Sequence, residues 1–192
     1  IEEIREAFEK KVTRNGFTEY KDMLFEAYIE KWVSEQENFL KPTTLSGYNG
    51  IVKNHIIPFF SKRQILLVDI TPQHIQEYYN SKAKSGLSPG SVQRHHSLIR
   101  KALQNAVLKD VILYNPADRT QRPKQTKYNP SIYGAEQLKT LIQSVKGTPI
   151  EVPITLCCHY ALRRGEVLGL QWKNVDFNKR TITICNSVVR AG

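Results

Sequence analysis

Ala161-Leu162-Arg163-Arg164-Gly165-Glu166-Val167-Leu168-Gly169-Leu170, closed by Trp172 and Val175-Asp176, decides how the second half of this chain is read. An arginine pair interrupts an apolar segment, a Gly-Glu follows, and an apolar helical turn runs onto a tryptophan. Arginine is costly to bury without a partner, so one set against Leu162, Leu168 and Leu170 calls for an anion. Its planar fork of donors matches two oxygens of a phosphate better than any other side chain. A second assignment stands beside this one: Arg163 paired with Glu166 simply to fix a helix entry.

Working outward, Phe177-Asn178-Lys179-Arg180 reads as a turn into a strand over Thr181-Ile182-Thr183-Ile184, with Val188-Val189 as its neighbour. Upstream, helices are expected from Gly134 to about Val145 and from Glu151 to Leu162. Residues 115–131 break the periodic pattern. Three prolines and four cations (Arg119, Arg122, Lys124, Lys127) predict an extended basic linker there. The domain boundary falls on it.

Ahead of the linker the apolar spacing is helical throughout. Phe25, Ile29, Trp32 and Val33 share one face of a helix expected from Thr18. Lys41-Pro42-Thr43-Thr44 starts a second helix with a threonine cap, striped by Leu45, Tyr48, Val52 and His55-Ile56 and ending before Pro58. Thr71-Pro72 opens a third, striped by Ile75 and Tyr78-Tyr79. Ser88-Pro89 launches the longest, which buries Val92, His96, Ile99, Leu103, Ala106 and Val107 and ends near Asp110. Four such helices suffice for one small α-helical core. Residues 1–17 alternate charges and read as a solvated connector helix.

Charge narrows the function classes. The net charge is +10, but residues 1–40 carry ten acids against six bases and sum to −4, leaving +14 on the other 152. Such a concentration favours a polyanion partner whose binding weakens with salt. No apolar run reaches the length of a membrane span. Cys157, Cys158 and Cys185 lack metal-ligand spacing; the adjacent pair in an apolar helix reads as small core residues, and a reducing, cytoplasmic setting fits. His95-His96 and Tyr78-Tyr79 read as packing residues, as does His159; no metal site is expected.

Arg163-Arg164-Gly165-Glu166-Val167-Leu168-Gly169-Leu170-Gln171-Trp172-Lys173-Asn174-Val175-Asp176 resembles the first conserved box of the tyrosine recombinases, the phage-type integrases. Asn174 stands where the box more commonly has Asp. The looser helical pattern is similar to the integrases of conjugative transposons and temperate phages. The resemblance implies a mainly α fold: a four-helix, SAM-like core-binding domain over residues 18–114, the linker 115–131, and the N-terminal part of an α+β catalytic domain with a β-hairpin over 132–192. It places Arg163 on the first catalytic arginine and Glu166 on the acid that orients it, with Leu170 and Trp172 in the core.

The activity so implied is site-specific DNA recombination. A tyrosine hydroxyl attacks a DNA phosphate, leaving a 3′-phosphotyrosine that a free 5′-hydroxyl later reverses. The bond energy is conserved, so no cofactor, ATP or metal is called for. The partners implied are double-stranded DNA at attachment-site core repeats and a tetramer of the protein on paired sites. The family's lysine, His-x-x-Arg box and tyrosine would follow Gly192, since all nine tyrosines precede Arg163. This stretch is therefore expected to bind DNA without cleaving it. Lys41, Lys53, Arg94, Arg100, Lys101, Arg119, Arg122, Lys124 and Lys127 are the candidate phosphate contacts, with Thr43, Thr44 and Ser91 candidates for phosphate or base edges. A non-catalytic DNA-binding regulator, or a remnant integrase that only occupies sites, is the alternative.

Overall fold

The structure, a computed structural model, describes residues 18–124 and 129–189. The expected connector over 1–17 and Lys127 lie outside them. The chain divides into two compact units, Ile1–Lys127 and Tyr128–Gly192.

In the first unit the helix expected from Thr18 is two. α1 (Thr18–Lys21) ends, and α2 (Phe25–Glu35) starts after a short antiparallel pairing. Phe25 N–H donates to Ile65 O at 2.9 Å and Leu67 N–H to Met23 O at 2.8 Å. That pairing diverts the backbone from a continuous helix. α2 then buries the predicted face of Phe25, Ile29, Trp32 and Val33, with Tyr28 beside them.

α3 (Pro42–Ile51) does not stop before Pro58. It passes through a π-helical turn (Val52–Ile56) into α4 (Ile57–Phe60). Proline lacks an amide hydrogen, and its ring clashes with the carbonyl four residues back. The wider π turn, where Ile57 N–H reaches Val52 O, makes room for the ring. The threonine cap is also corrected: Lys41 holds the cap position, with Pro42 in the first turn and no side-chain cap bond.

α5 (Pro72–Lys84) and α6 (Pro89–Leu108) begin as predicted, each with a proline in the first turn. Thr71 Oγ1 accepts the His74 amide and Ser88 Oγ the Ser91 amide. These bonds satisfy donors that a helix start would otherwise leave open. Between the helices lies one core, in which Phe60 stacks edge-on against Phe25 at 4.6 Å and Phe59 against Tyr78 at 5.2 Å.

The segment read as linker begins as folded structure. Pro116–Arg119 forms a 3-10 turn against α5 and α6 with Ala117 fully buried. Buried Asn115 holds it, accepting the Ala117 amide at 3.1 Å and donating to Arg100 O at 3.0 Å. Proline and asparagine composition signals a break in periodicity, and a capped turn satisfies that signal as well as a free linker does.

The second unit contains α7 (Ala135–Ser144), α8 (Glu151–Tyr160), α9 (Arg164–Leu168), a 3-10 turn (Trp172–Asn174) and a hairpin of β1 (Val175–Asp176) with β2 (Thr181–Ile182). Register pairs Val175 with Ile182 and Asp176 with Thr181. The expected four-residue strand is shorter: the register runs one step further, with Thr183 N–H bonding Asn174 O, but Asn174 already belongs to the 3-10 turn. The expected helix to Leu162 ends at Tyr160, where Ala161 turns left-handed at φ 53°.

Several packing assignments are corrected in this unit. Leu170 is only half-buried and Trp172 is 82% exposed, because a one-turn helix and two-residue strands provide no layer across the ring. His159 is exposed, and so is Cys185, while Cys157 and Cys158 are half-buried.

Gly165 and Gly169 cradle the returning segment Asn186–Val188, and Val188 N–H donates to Gly165 O at 2.9 Å. A Cβ on Gly169 would stand 2.7 Å from Asn186 O, a backbone atom. Gly169→Ala is therefore expected to cost about 1–3 kcal/mol in docking this segment. Hydrogen exchange at the Val188 amide reads this: faster exchange is expected, and an unchanged rate contradicts the cradle.

Candidate nucleic-acid interface and arginine site

Two grooves cut one face of the helical unit. The first, of about 900 Å³, runs between α3 and α6, and Thr43, Thr44, Ser91 and Arg94 all line it. The second, of about 500 Å³, lies between α6 and the 3-10 turn and gathers Arg100, Lys101 and Arg122. Ser97 lines both. Seven of the twelve residues expected to bind DNA thus converge from separate parts of the chain. Lys41, Lys53, Arg119 and Lys124 are exposed outside the grooves, with the Arg119 guanidinium 4.6 Å over the Tyr114 ring.

Local contacts set the cations in place. Arg100 pairs with Asp118, Lys101 Nζ donates to Tyr48 Oη at 3.1 Å, and the Tyr48 ring stacks on Trp32. Residues after the 3-10 turn are strapped down: Gln121 N–H donates to Gln76 Oε1 and Gln93 Nε2 to Pro123 O, both at 2.8 Å. That strap carries Arg122 to its groove.

The histidines under the grooves escape a reading based on hydropathy. Tyr78 Oη and His95 Nδ1 are 2.9 Å apart, and Tyr79 Oη and His96 Nδ1 3.0 Å apart. His95 and His96 are each about 95% buried or more. The His55 ring lies 4.9 Å from that of His95. The signal was available: Tyr-Tyr and His-His are adjacent pairs seventeen residues apart on consecutive helices.

Burial lowers the His95 pKa to about 4, helped by His55 and Lys82. His96 is lowered by burial and by Arg122 and Arg100, against an opposing pull from Asp118. His55 is lowered by burial and Lys82. Burial raises both Tyr78 and Tyr79, so these phenols stay protonated.

In the second unit the Glu166 carboxylate grips Arg163 twice. It accepts the Arg163 backbone N–H at 2.9 Å and guanidinium Nη1 at 3.1 Å. Those two bonds hold the Glu166 carboxyl below its usual range. The Arg163 side chain is 87% exposed, and the rest of its donor fork makes no hydrogen bond among the described residues. One pair of contacts therefore orients the base of the fork and leaves the other donors open to an anion. No three-residue group of His, Cys, Asp or Glu that could hold a metal occurs among the described residues.

Residues 24–83 match the phage integrase N-terminal SAM-like domain. The helical unit is thus similar to the phage-integrase SAM-like domain over those residues. An integrase of Saccharopolyspora erythraea is 23% identical over 84% of this chain and 38% of its own length. A tyrosine recombinase XerC-like protein of Caldanaerobacter subterraneus is 24% identical over 89% of this chain and 46% of its own. The chain thus spans less than half the length of either relative. The Tn1549 transposon integrase, solved with circular intermediate DNA, shares the fold at a TM-score of 0.76 and 18% identity, over 88% of this chain and 56% of that one. That coverage is too long to be confined to the integrase SAM-like unit, so the shared fold extends into the unit that holds Arg163. Among the described residues no helix is long and apolar enough to cross a membrane.

Proposed function

We propose that this chain is the DNA-gripping front portion of a site-specific tyrosine recombinase that integrates and excises mobile DNA in the cytoplasm. The observation that carries the proposal is the convergence of Thr43, Thr44, Ser91, Arg94, Arg100, Lys101 and Arg122 on two adjoining grooves of a phage-integrase SAM-like unit. Lys41, Lys53, Arg119 and Lys124, exposed outside the grooves, add to the same positive charge, and Lys127, outside the described residues, is a further candidate by residue type. In the complete protein Arg163, oriented by Glu166, holds the non-bridging oxygens of the scissile phosphate while a tyrosine outside these 192 residues attacks. Attack joins the tyrosine oxygen to phosphorus and releases the 5′-oxygen as a hydroxyl. Within these 192 residues the chain binds duplex and does not cut it. Tetramers on paired attachment sites complete the reaction.

An Arg163–Glu166 pair before a hairpin favours this reading over a DNA-binding regulator, which has no use for an open arginine fork. The test is charge reversal on the strap and its cleft. Arg122→Glu with Lys124→Glu is expected to weaken binding to all duplex sequences alike. It should also reduce the slope of log affinity against log salt by roughly one for each phosphate no longer neutralised. An unchanged salt slope contradicts the assignment.

A further inference from the structure

His96 lines the cleft that gathers Arg100, Lys101 and Arg122, and nothing in the reading of that cleft as a phosphate track has used it. Its Nδ1 is engaged by Tyr79 at 3.0 Å. Its Nε2 makes no hydrogen bond among the described residues, yet it is not sealed. The buried side-chain polar atom left without a partner among those residues is Glu26 Oε2, not His96 Nε2. A ring 5% exposed as a whole thus keeps one nitrogen open on a cationic cleft. The Asp118 carboxylate beside Arg100 shows that an anionic oxygen is accommodated there.

We propose that His96 is a proton-linked ligand for a backbone phosphate of DNA in this cleft, with Tyr79 holding its ring in either charge state. The inference rests on the helical face being the DNA-binding one. In the neutral ring Tyr79 O–H donates to Nδ1, and Nε2 carries the hydrogen. When a phosphate enters, its charge offsets Arg100, Lys101 and Arg122, and the ring takes a proton from solvent. Nδ1–H then donates to the Tyr79 oxygen and Nε2–H to the phosphate. The Tyr79 proton turns to the Thr120 hydroxyl beside it, which already donates to Ala117 O at 2.7 Å and so can accept. In the charged state each ring donor has a partner, and in the neutral state only Nε2–H is left open to the cleft.

The charged groups facing the ring are Arg100 and Lys101 on α6, Asp118 on the 3-10 turn and Arg122 on the strap, with Tyr79 on α5. In the free cleft burial and the two arginines keep the ring neutral, so charging waits for the anion. Binding then consumes a proton, and affinity rises as pH falls.

The test is calorimetry of the 192-residue chain with a short mixed-sequence DNA duplex, in two buffers of different ionisation enthalpy. The chain is expected to take up protons on binding and to gain affinity several-fold from about pH 8 to about pH 6. His96→Asn keeps a polar atom toward Tyr79 but removes Nε2. It is expected to lose most of the affinity gain between the two pH values, together with the proton uptake that accompanies it. Equal proton uptake in the variant, or none in the parent chain, overturns the proposal. Should the variant misfold, the His96 ring nitrogens of the parent chain are titrated by NMR with and without duplex. A raised midpoint with duplex supports the proposal and an unmoved one overturns it. A chain that binds no duplex at any pH overturns the DNA-binding reading as well as this one.

Discussion

Arg163→Ala in the complete protein is expected, under the proposed function, to lower the rate of strand transfer by at least about 10²–10³-fold, the usual loss when one donor to a developing oxyanion is removed. Arg163→Lys is expected to recover little of it. An ammonium is a point charge and cannot grip two phosphate oxygens in one plane. The geometry adds a reason beyond charge: Glu166 fixes the backbone N–H and Nη1 of Arg163 together, and lysine has no second arm to present once one is held. Duplex binding by the variants is expected to change little, because most of the proposed phosphate contacts lie along the helical grooves. Single-turnover cleavage of a nicked attachment-site duplex reads the effect, and a near-parental rate for Arg163→Lys would sink the assignment.

Acidification is expected to destabilise the helical unit well before its carboxylates are protonated. His95 is buried neutral with its pKa lowered to about 4, against 6.5 for the ring in an unfolded chain. Its contribution to stability is therefore full above the unfolded value and is lost as pH falls below it, levelling off beneath the folded value. Between about pH 6.5 and pH 5 the loss from His95 amounts to about 2 kcal/mol, and His96 acts in the same direction. Urea unfolding across that range checks it. A flat stability from neutral pH to pH 5 would contradict the burial of a neutral His95. His95→Gln, although less stable at neutral pH, should show a shallower pH dependence than the parent.

Much of this architecture is legible in the sequence wherever a local rule and the tertiary structure agree. The stripe Phe25, Ile29, Trp32, Val33 is buried as spaced, and Thr71-Pro72 and Ser88-Pro89 start helices because their hydroxyls can meet open amides. Sequence reading fails where a long-range interaction overrides a local rule. Met23 and Leu24 leave the helix to pair with residues 65–67, and Pro58 stays inside one because a π turn makes room. Asn115 and Ala117 look like linker, yet α6 supplies the carbonyl that holds them.

The site divides in the same way. Cations and helix-start hydroxyls can be named from residue type, and seven of them meet at the grooves. Their positions cannot be read, since Arg100 and Arg122 share a cleft only because the strap folds back over α5 and α6. His95 and His96 read as packing residues, and their buried rings do pack. Their polar contacts beside the grooves are with Tyr78 and Tyr79, a helix away, and cannot be read from their own helix alone. The motif around Trp172 points to a core position, and the described residues leave that ring uncovered.

The most direct test of the central claim is an amide-resolved NMR titration of the 192-residue chain with duplex DNA at low salt. The largest shifts are predicted on the first half of α3, on α6 from Ser91 to Lys101, and from Asp118 at the end of the 3-10 turn along the strap to Lys124, all reversing as salt is raised. Shifts confined to other faces, or a spectrum that duplex leaves unmoved, would contradict a DNA-gripping integrase SAM-like unit.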